Sequence, residues 1–460
     1  MPSLTSHTPI DRLFQSYISF NTQPLALCEE HLSHESSIAR PAPRQRADHR
    51  PPRSSVPVWP VGCAQRWDRS PMTATDDLVD LDPGPAAHAL RRRLRQLLAE
   101  MLPADWRTSF SNDAEVQAVV GRICRRLGDE RLLTINWPAE FGGAGADVWQ
   151  QTVLREEMWA HFEPRGAQYM GLSWVGPTLM QIGTPAQLEK HLPGIAEGRI
   201  VWCQGFSEPE AGTDLGSLKL SASRTDRGWL LTGQKIWTSY AGLADWCFLA
   251  ARTSHTDNKH TGITIFLVPM SSPGITVRPI PSIMGEQHLN EVFFDGVEVA
   301  EEAILGELDQ GWRVIKLVLT HERIGIPRYA RDERILAALA GHESLQEPTV
   351  ASDYARTLVH TRVARLLNHR AIALNDAGML SDREASVARV ASIHLDQEVA
   401  GLALDMVGSD GLVPRPGAGL LGQVEDIFRY ARSATIASGT AEVQRMLIAR
   451  SAIREVKDET

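Results

Sequence analysis

Hydrophobic positions change their period three times along the chain. Residues 1–85 have none. From Ala86, Leu90, Leu94, Leu97, Leu98 and Met101 recur at three- and four-residue spacing until Pro103, which predicts an amphipathic helix. Residues 116–127 and 149–162 keep that spacing, separated by PAEFGGAGAD, whose glycines and proline forbid a continuous helix. Stretches 171–182 and 185–196 complete a helical block. Beyond Ile200 the pattern is extended, with short branched and aromatic runs at 229–231, 246–251, 263–268 and 292–294, punctuated by Gly and Pro. From Gly311 the helical period returns over 312–325, 329–340, 351–377, 382–407 and 439–456.

This order predicts an α+β multidomain chain. Its expected parts are an extension over 1–85, an N-terminal helical domain over 86–200, a middle β-barrel or sandwich domain over 201–307, and a C-terminal four-helix bundle over 308–460. The extension contains RPAPRQRADHRPPRSSVPVWPVG, a run of Arg, Pro and Ser that predicts disorder. Asp11, Glu29, Glu30 and Glu35 are wrong for a transit peptide and no apolar signal core is present, so Met72 is the expected start of the folded protein.

Composition narrows the function. With 460 residues and 43% hydrophobics the chain is long enough for several cores. A net charge of −9 and a pI near 5.9 argue against nucleic acid as the main partner. No apolar run approaches the roughly 20 residues that span a bilayer, so integral membrane association is not expected. The five cysteines form no CxxC pair, which points to neither a disulfide framework nor a zinc site, and a reducing cytoplasm is the simplest compartment.

Two runs carry candidate chemistry. In WCQGFSEPEAGTDLG, residues 202–216, the small residues Ala211, Gly212 and Thr213 lie among Glu208, Glu210 and Asp214, so the chain must turn and expose backbone N–H groups. In GQKIWTSYAG, residues 233–242, Trp237 offers a flat apolar face beside Thr238 and Ser239. A flavin ring with its phosphates fits this combination, and so does a β-hairpin with an acidic loop and a core tryptophan. Further on, the helix WRVIKLVLTHERIGI has an apolar stripe of Ile315, Val318, Leu319 and Ile326 with Glu322 inside it. A carboxylate in such a stripe suits a general base, while pairing with Arg323 or a place at the helix end would make it structural.

The two runs resemble the flavin-binding signature of the acyl-CoA dehydrogenase family, and the likeness continues from about Leu90 to the C-terminus. The order helical, β, helical is the family's. The resemblance implies that Phe206 and Ser207 hold the flavin ring, that Gly212 and Thr213 approach flavin and substrate, and that Trp237, Thr238 and Ser239 pack on the ring. Gln204 stands where many relatives carry an aromatic residue. Most relatives place the catalytic base before a Gly-Thr near the C-terminus, and here TIASGTAEVQR has Ser438 at that point. A minority place it on the helix that carries Glu322, and HERIG matches their pattern, with Arg323 following on the substrate side. The implied chemistry is removal of the α-proton by Glu322 as hydride leaves the β-carbon for the flavin. The flavin ribityl hydroxyl and the Ser438 backbone N–H would polarise the thioester carbonyl.

Thr440 and Glu442 match positions along the flavin, and Val407, Gly408 and Ser409 in DMVGSDG match an adenine contact. The Arg-Lys-Gln-Phe-Gly motif of many relatives is missing. LAGHESLQEPTVASD reads as a different loop there, which leaves the adenine contacts and the symmetry of the assembly open. The resemblance further implies FAD, an acyl-CoA substrate, electron-transfer flavoprotein as acceptor, a homo- or hetero-oligomer (dimer or tetramer) and no metal. The implied product is the trans-2-enoyl-CoA, in fatty-acid, branched-chain or sterol side-chain breakdown. Two alternatives remain, an assembly subunit of a heteromeric dehydrogenase and a flavin monooxygenase on the same fold. Deleting the residues before Met72 is expected to leave soluble yield and activity unchanged, because that segment lacks the apolar pattern to join a core. Loss of soluble protein on truncation would contradict this.

Overall fold

The computed structural model describes residues 82–106, 113–283, 288–323, 326–413, 423–437 and 439–458, all within the compact unit Ala74–Thr460 and without the side chains of 321–323 and 454–458. The expected disorder of the N-terminal extension and the start at Met72 lie outside these residues.

The first block is helical because its apolar stripes have one shared core to enter. Helix α1 (Gly84–Met101) buries Leu90, Leu94, Leu97 and Leu98. Helix α2 (Ala114–Asp129) buries Val119, Val120, Ile123, Cys124 and Leu127. It begins at Asp113, whose carboxylate accepts from the Glu115 and Val116 N–H groups at 2.8 and 3.2 Å and so satisfies two orphan donors of the first turn. Helix α3 (Val148–Ala160) is capped by Asp147 in the same way. Helix α4 is the continuous run 168–182, in which a π-helical segment, Gly171–Val175, interrupts the α-helical pieces Gln168–Met170 and Gly176–Ile182. At Gly176 a Cβ would lie 2.2 Å from the buried Trp137 ring, so only glycine lets the indole pack there. Helix α5 (Pro185–Ala196) opens with a Thr184–Gln187 capping box.

The middle region is one eight-stranded sheet with strands β1 (Trp202–Gly205), β2 (Ser221–Thr225), β3 (Gly228–Ser239), β4 (Trp246–Arg252), β5 (Ile263–Pro269), β6 (Ile275–Pro279), β7 (Leu289–Val299) and β8 (Ile304–Leu305). Their order is β6-β7-β3-β2-β4-β5-β8, with β1 lying parallel to β4 on the edge that β2 reaches only at Ser221 and Arg252. Side chains alternate faces along a strand, and in β4 and β5 both faces are dry. Cys247, Leu249, Ala251, Phe266 and Val268 enter a core with Trp229, Leu231, Val292 and Phe294. Phe248, Ala250, Ile263, Ile265 and Leu267 enter another with Leu179, Leu192 and Ile195 of the helical block. That double burial explains the unbroken apolar runs in these strands. Strands β1, β2, β6 and β8 were not expected from the sequence, and β3 is far longer than its 229–231 core.

The last block holds α6 (Gly311–Arg323), α7 (Arg328–Leu339), α8 (Pro348–Asp376), α9 (Asp382–Val407), α10 (Val424–Ser433) and α11 (Ala441–Asp458). Ile335, Leu336 and Leu339 of α7, Ala364 of α8, Leu395, Val399 and Ala403 of α9, and Val424, Ile427 and Ala431 of α10 form its core. Three details depart from expectation. Helix α10 is additional. The stretch read as a loop at 339–353 contains a 3-10 turn, Glu343–Gln346, and the first turn of α8. On α6 the buried stripe is Val314, Ile315 and Val318, whereas Leu319 is 41% exposed.

A buried carboxylate ties the two helical blocks together. Glu156 of α3 accepts from the Tyr329 hydroxyl of α7 and from His369 Nε2 of α8, each at 2.8 Å, and pairs with Arg91 of α1. Burial opposes its charge, yet the hydrogen bond from His369 and the charges of Arg365 and Arg91 outweigh burial and hold its pKa down at about 2 against an ordinary 4.5. The stabilisation is therefore complete above pH 4.5 and lost as pH falls toward 2, and it amounts to ~3 kcal/mol. Glu156→Gln should remove this part of the acid limb in urea-unfolding free energies measured from pH 6 to pH 3. An unchanged pH slope would refute the assignment.

Candidate active site

Strand β3 shifts register against β7 twice, first between Leu231 and Gly233 and again after Lys235. Lys235 pairs with Val292 of β7, but the next pair is Thr238 with Asn290, so β3 spends three steps where β7 spends two. The extra residue throws Trp237 outward: its backbone is left-handed at φ 59° and its side chain is 56% exposed. Left-handed backbone is disfavoured for a bulky L-residue by roughly 1–2 kcal/mol, so something must hold it. Asn290, buried, donates through Nδ2 to the carbonyls of Thr238 at 3.1 Å and His288 at 3.0 Å. Tyr240, also left-handed at φ 59°, donates its N–H to the His288 carbonyl at 2.6 Å. Burial lowers the His288 imidazole pKa to about 4, which keeps that ring neutral near pH 7.

The other run lies directly alongside. After β1 the chain turns, and the Ser207 carbonyl accepts the Ile236 N–H at 2.9 Å, so residues 206–207 and 236–239 form adjoining walls. Phe206 is buried with its ring centroid 6.0 Å from that of Phe248. Lys235, wholly buried, donates Nζ to the Phe206 carbonyl at 3.0 Å and to Glu208 Oε1 at 2.8 Å. Burial pulls the Lys235 pKa down and the Glu208 carboxylate works against that. Glu208 and Ala211 exchange backbone hydrogen bonds at 3.0 and 3.1 Å, closing a tight turn over Pro209 and Glu210, one step before the turn expected at 211–213. Gly212 and Thr213 lie in the exposed bend that follows, and a Cβ on Gly212 would meet nothing within 4 Å. The rear of the loop is fixed by Arg252, which donates to the carbonyls of Gly216 and Thr261, both at 2.7 Å.

The remaining predicted residues lie on the C-terminal block. Gly408 and Ser409 stand where α9 ends, Gly408 at φ 67°. The Thr440 hydroxyl accepts the Val443 N–H at 3.3 Å in the first turn of α11. Glu442 is exposed, and its own backbone N–H, Thr440 and Arg445 hold its carboxyl below the ordinary range. Among the described residues these four share no hydrogen bond with the two sheet-borne runs. Glu322 and Arg323 close α6, but their side chains lie outside the described residues, as does Ser438. Next to Ser438 in the chain, the Ala437 carbonyl accepts from Arg389 Nη2 at 2.7 Å.

The walls suit a flat aromatic cofactor. Thr238 Oγ1 is buried and has no hydrogen-bond partner, the Trp237 indole is exposed beside it, and Gly212 faces open space. A flavin would give the hydroxyl a partner and cover the indole, so these residues fit FAD. Reading the sequence missed Lys235 and Asn290. For Lys235 a signal existed: strand alternation from Trp229 and Leu231 puts position 235 on the inward face, where a lysine requires a partner. Among the described residues no group of three or more His, Cys, Asp or Glu side chains is placed to hold a metal ion, and no helix is long and apolar enough to cross a membrane.

Comparison with known proteins covers all three blocks. Family models match the acyl-CoA dehydrogenase N-terminal domain at residues 85–199, the middle domain at 203–297 and the C-terminal domain at 309–453. The chain belongs to the acyl-CoA dehydrogenase family, whose members are FAD-dependent flavoproteins. It is 36% identical over 358 residues to acyl-CoA dehydrogenase FadE34 of Mycobacterium tuberculosis, an alignment covering 77% of this chain and 49% of that protein, so the chain spans about half of FadE34. It is 32% identical to acyl-CoA dehydrogenase IpdE1 of the same organism over 72% of this chain and 88% of that one. Among solved structures it is similar to the Tcur3481-Tcur3483 steroid ACAD, with a TM-score of 0.75, 33% identity, and coverage of 81% of this chain and 98% of that one. It is also similar to the ChsE4-ChsE5 complex from Mycobacterium tuberculosis, with a TM-score of 0.72, 29% identity, and coverage of 80% and 97%.

The left-handed bulge makes a prediction about position 237. Trp237→Gly and Trp237→Ala lose the same ring, but only alanine keeps the cost of φ 59°. The glycine variant should unfold in urea with about 1 kcal/mol more stability than the alanine variant, the reverse of the usual order inside a strand. Alanine proving the more stable would mean that the bulge relaxes.

Proposed function

We propose that the chain catalyses α,β-dehydrogenation of an acyl-CoA thioester to the trans-2-enoyl-CoA. The observation that carries this is the site surface: an exposed Trp237 on a held bulge and a buried Thr238 hydroxyl without a partner, with an exposed Gly212 in the neighbouring loop. FAD supplies the hydride acceptor when bound. Phe206, Ser207 and Trp237 to Ser239 would hold it, Gly212 and Thr213 leave room where substrate approaches, and Gly408, Ser409, Thr440 and Glu442 are assigned to its adenine and ribityl side. Glu322 is assigned as the base for the α-proton, with Arg323 beside it on the substrate side. The helix supports this assignment: position 322 follows Val318, a member of the buried stripe, by about one turn. The Ser438 N–H is assigned to the thioester carbonyl, and the Ala437 carbonyl of that same peptide unit is held by Arg389.

The domain boundaries at 86–200, 201–307 and 308–460 belong to this reading, as do electron-transfer flavoprotein as acceptor and a cytoplasmic site. Similarity to a steroid ACAD favours a bulky acyl group such as a sterol side chain. A second reading, a subunit of a heteromeric dehydrogenase, is favoured by similarity to the ChsE4-ChsE5 complex.

The test is spectroscopic and then kinetic. The purified protein should be yellow and carry FAD. Glu322→Gln keeps size and loses the proton acceptor, so flavin reduction by acyl-CoA should slow by roughly a hundred- to ten-thousand-fold with flavin still bound. Ser438→Ala keeps its backbone N–H and should do far less. Wild-type reduction rates in Glu322→Gln, or a dead Ser438→Ala, would overturn the assignment.

A further inference from the structure

We infer that Lys235, anchored by Glu208, is a positioning residue that sets the two walls of the cofactor surface against each other; this rests on the reading of that surface as the FAD site. Lys235 lies on β3 two residues before the bulged Trp237, so its backbone belongs to one wall. Its ammonium reaches the other wall, donating to the Phe206 carbonyl at 3.0 Å and to Glu208 Oε1 at 2.8 Å. Glu208 extends the connection to the far end of the turn, accepting the Lys219 N–H at 2.6 Å and the Leu220 N–H at 2.8 Å. Four hydrogen bonds therefore converge on one buried charge pair and fix residues 206, 208, 219 and 220 relative to β3.

Such a pair is a poor source of stability, because desolvating both charges cancels most of their attraction, and an apolar pair of equal volume does as well. What it supplies is a defined distance between walls. Without it the loop keeps other tethers: Arg252 still holds the Gly216 and Leu218 carbonyls, and the surface pairs Lys219–Glu210 and Lys259–Asp214 remain, each at 2.6 Å. When Lys235 alone is removed, Glu208 keeps the Lys219 and Leu220 N–H groups, and the near end at Phe206 loses its charged anchor. A change at Lys235 thus loosens the cofactor wall selectively.

The experiment compares full-length wild type, Lys235→Met, Glu208→Gln and the double variant Lys235→Met/Glu208→Met. Each apoprotein is titrated with FAD by flavin fluorescence, cut briefly with thermolysin, and melted. Lys235→Met should weaken FAD binding roughly ten- to hundred-fold and open new cut sites within 206–220. Glu208→Gln, which keeps one acceptor oxygen but presents an amide to the Lys219 N–H, should do the same more weakly. The double variant, in which the Lys219 and Leu220 N–H groups lose Glu208, should recover part of the melting temperature lost in Lys235→Met but neither the FAD affinity nor the protection of wild type, the split that a merely stabilising pair would not show. Unchanged FAD affinity and cut pattern in a folded Lys235→Met, or in Glu208→Gln should Lys235→Met prove insoluble, would overturn the inference, as would recovery of affinity in the double variant. If wild type takes up no FAD, the cofactor reading fails, while the cut patterns still decide whether the pair holds the loop.

Discussion

Strands β4 and β5 have no face turned to water, and the rest of the structure follows from that. A sheet strand dry on both sides needs a layer on each. One layer is the remainder of the sheet, through Trp229, Leu231, Val292 and Phe294. The other is helical, through Leu179, Leu192 and Ile195 from the first block and Ile315 and Val318 of α6 from the last. Helices from both ends of the chain must therefore close on the same sheet face. The far strands β3 and β7 are left free to deviate from regular pairing, and the bulge occurs there.

The bulge is a local cost met by surrounding order. Trp237 and Tyr240 both adopt left-handed backbone, two non-glycine residues within four positions. Asn290 bridges the strand carbonyls on either side, and Lys235 anchors the strand just before the deviation. Each of these polar side chains is buried and satisfied, so removing one leaves unpaired groups in a dry interior rather than a mere gap. A strained, exposed indole held by buried polar side chains is what a rigid stacking surface requires, because a flexible one would have to be ordered at the moment of binding.

Legibility of the sequence tracked how locally each element is determined. Helices α1, α3 and α9 and strands β4 and β5 carry their own apolar period and were expected close to where they lie. Strands β2 and β6 were not, because SASRT has a single buried residue, Ala222, and ITVRP has none, so they exist by pairing with β3 and β7. Helix α10 buries only Val424, Ile427 and Ala431, a stripe too short to stand out behind a glycine-rich stretch. At the site, the two runs were legible as motifs, but Lys235 acts on a residue 27 positions away and Asn290 on one 52 positions away. Spacing along the chain carries no trace of such pairs, and ordinary propensities for Ile-Trp-Thr predict regular extended backbone where the left-handed turn occurs.

The division of the site between sheet and helices places a demand on α6. A base on a helix can serve a cofactor on a sheet only if the helix has one register against that sheet. The start of α6 meets this demand through backbone proximity rather than side-chain packing alone. At Gly311 a Cβ would stand 2.8 Å from the Ile263 carbonyl oxygen, so glycine lets the helix begin against β5. Just before it, the left-handed Asp309 donates its N–H to Thr264 Oγ1 at 2.9 Å and accepts the Thr253 hydroxyl at 2.5 Å through its carboxylate. Both ends of the β4–β5 hairpin loop are thus fastened to the entry of α6, and Ile315 and Val318 continue the contact along the helix. With its first turn pinned and its stripe buried, the helix has little freedom to slide or rotate. The base proposed at position 322 would therefore take its placement from β5, which pairs with β4.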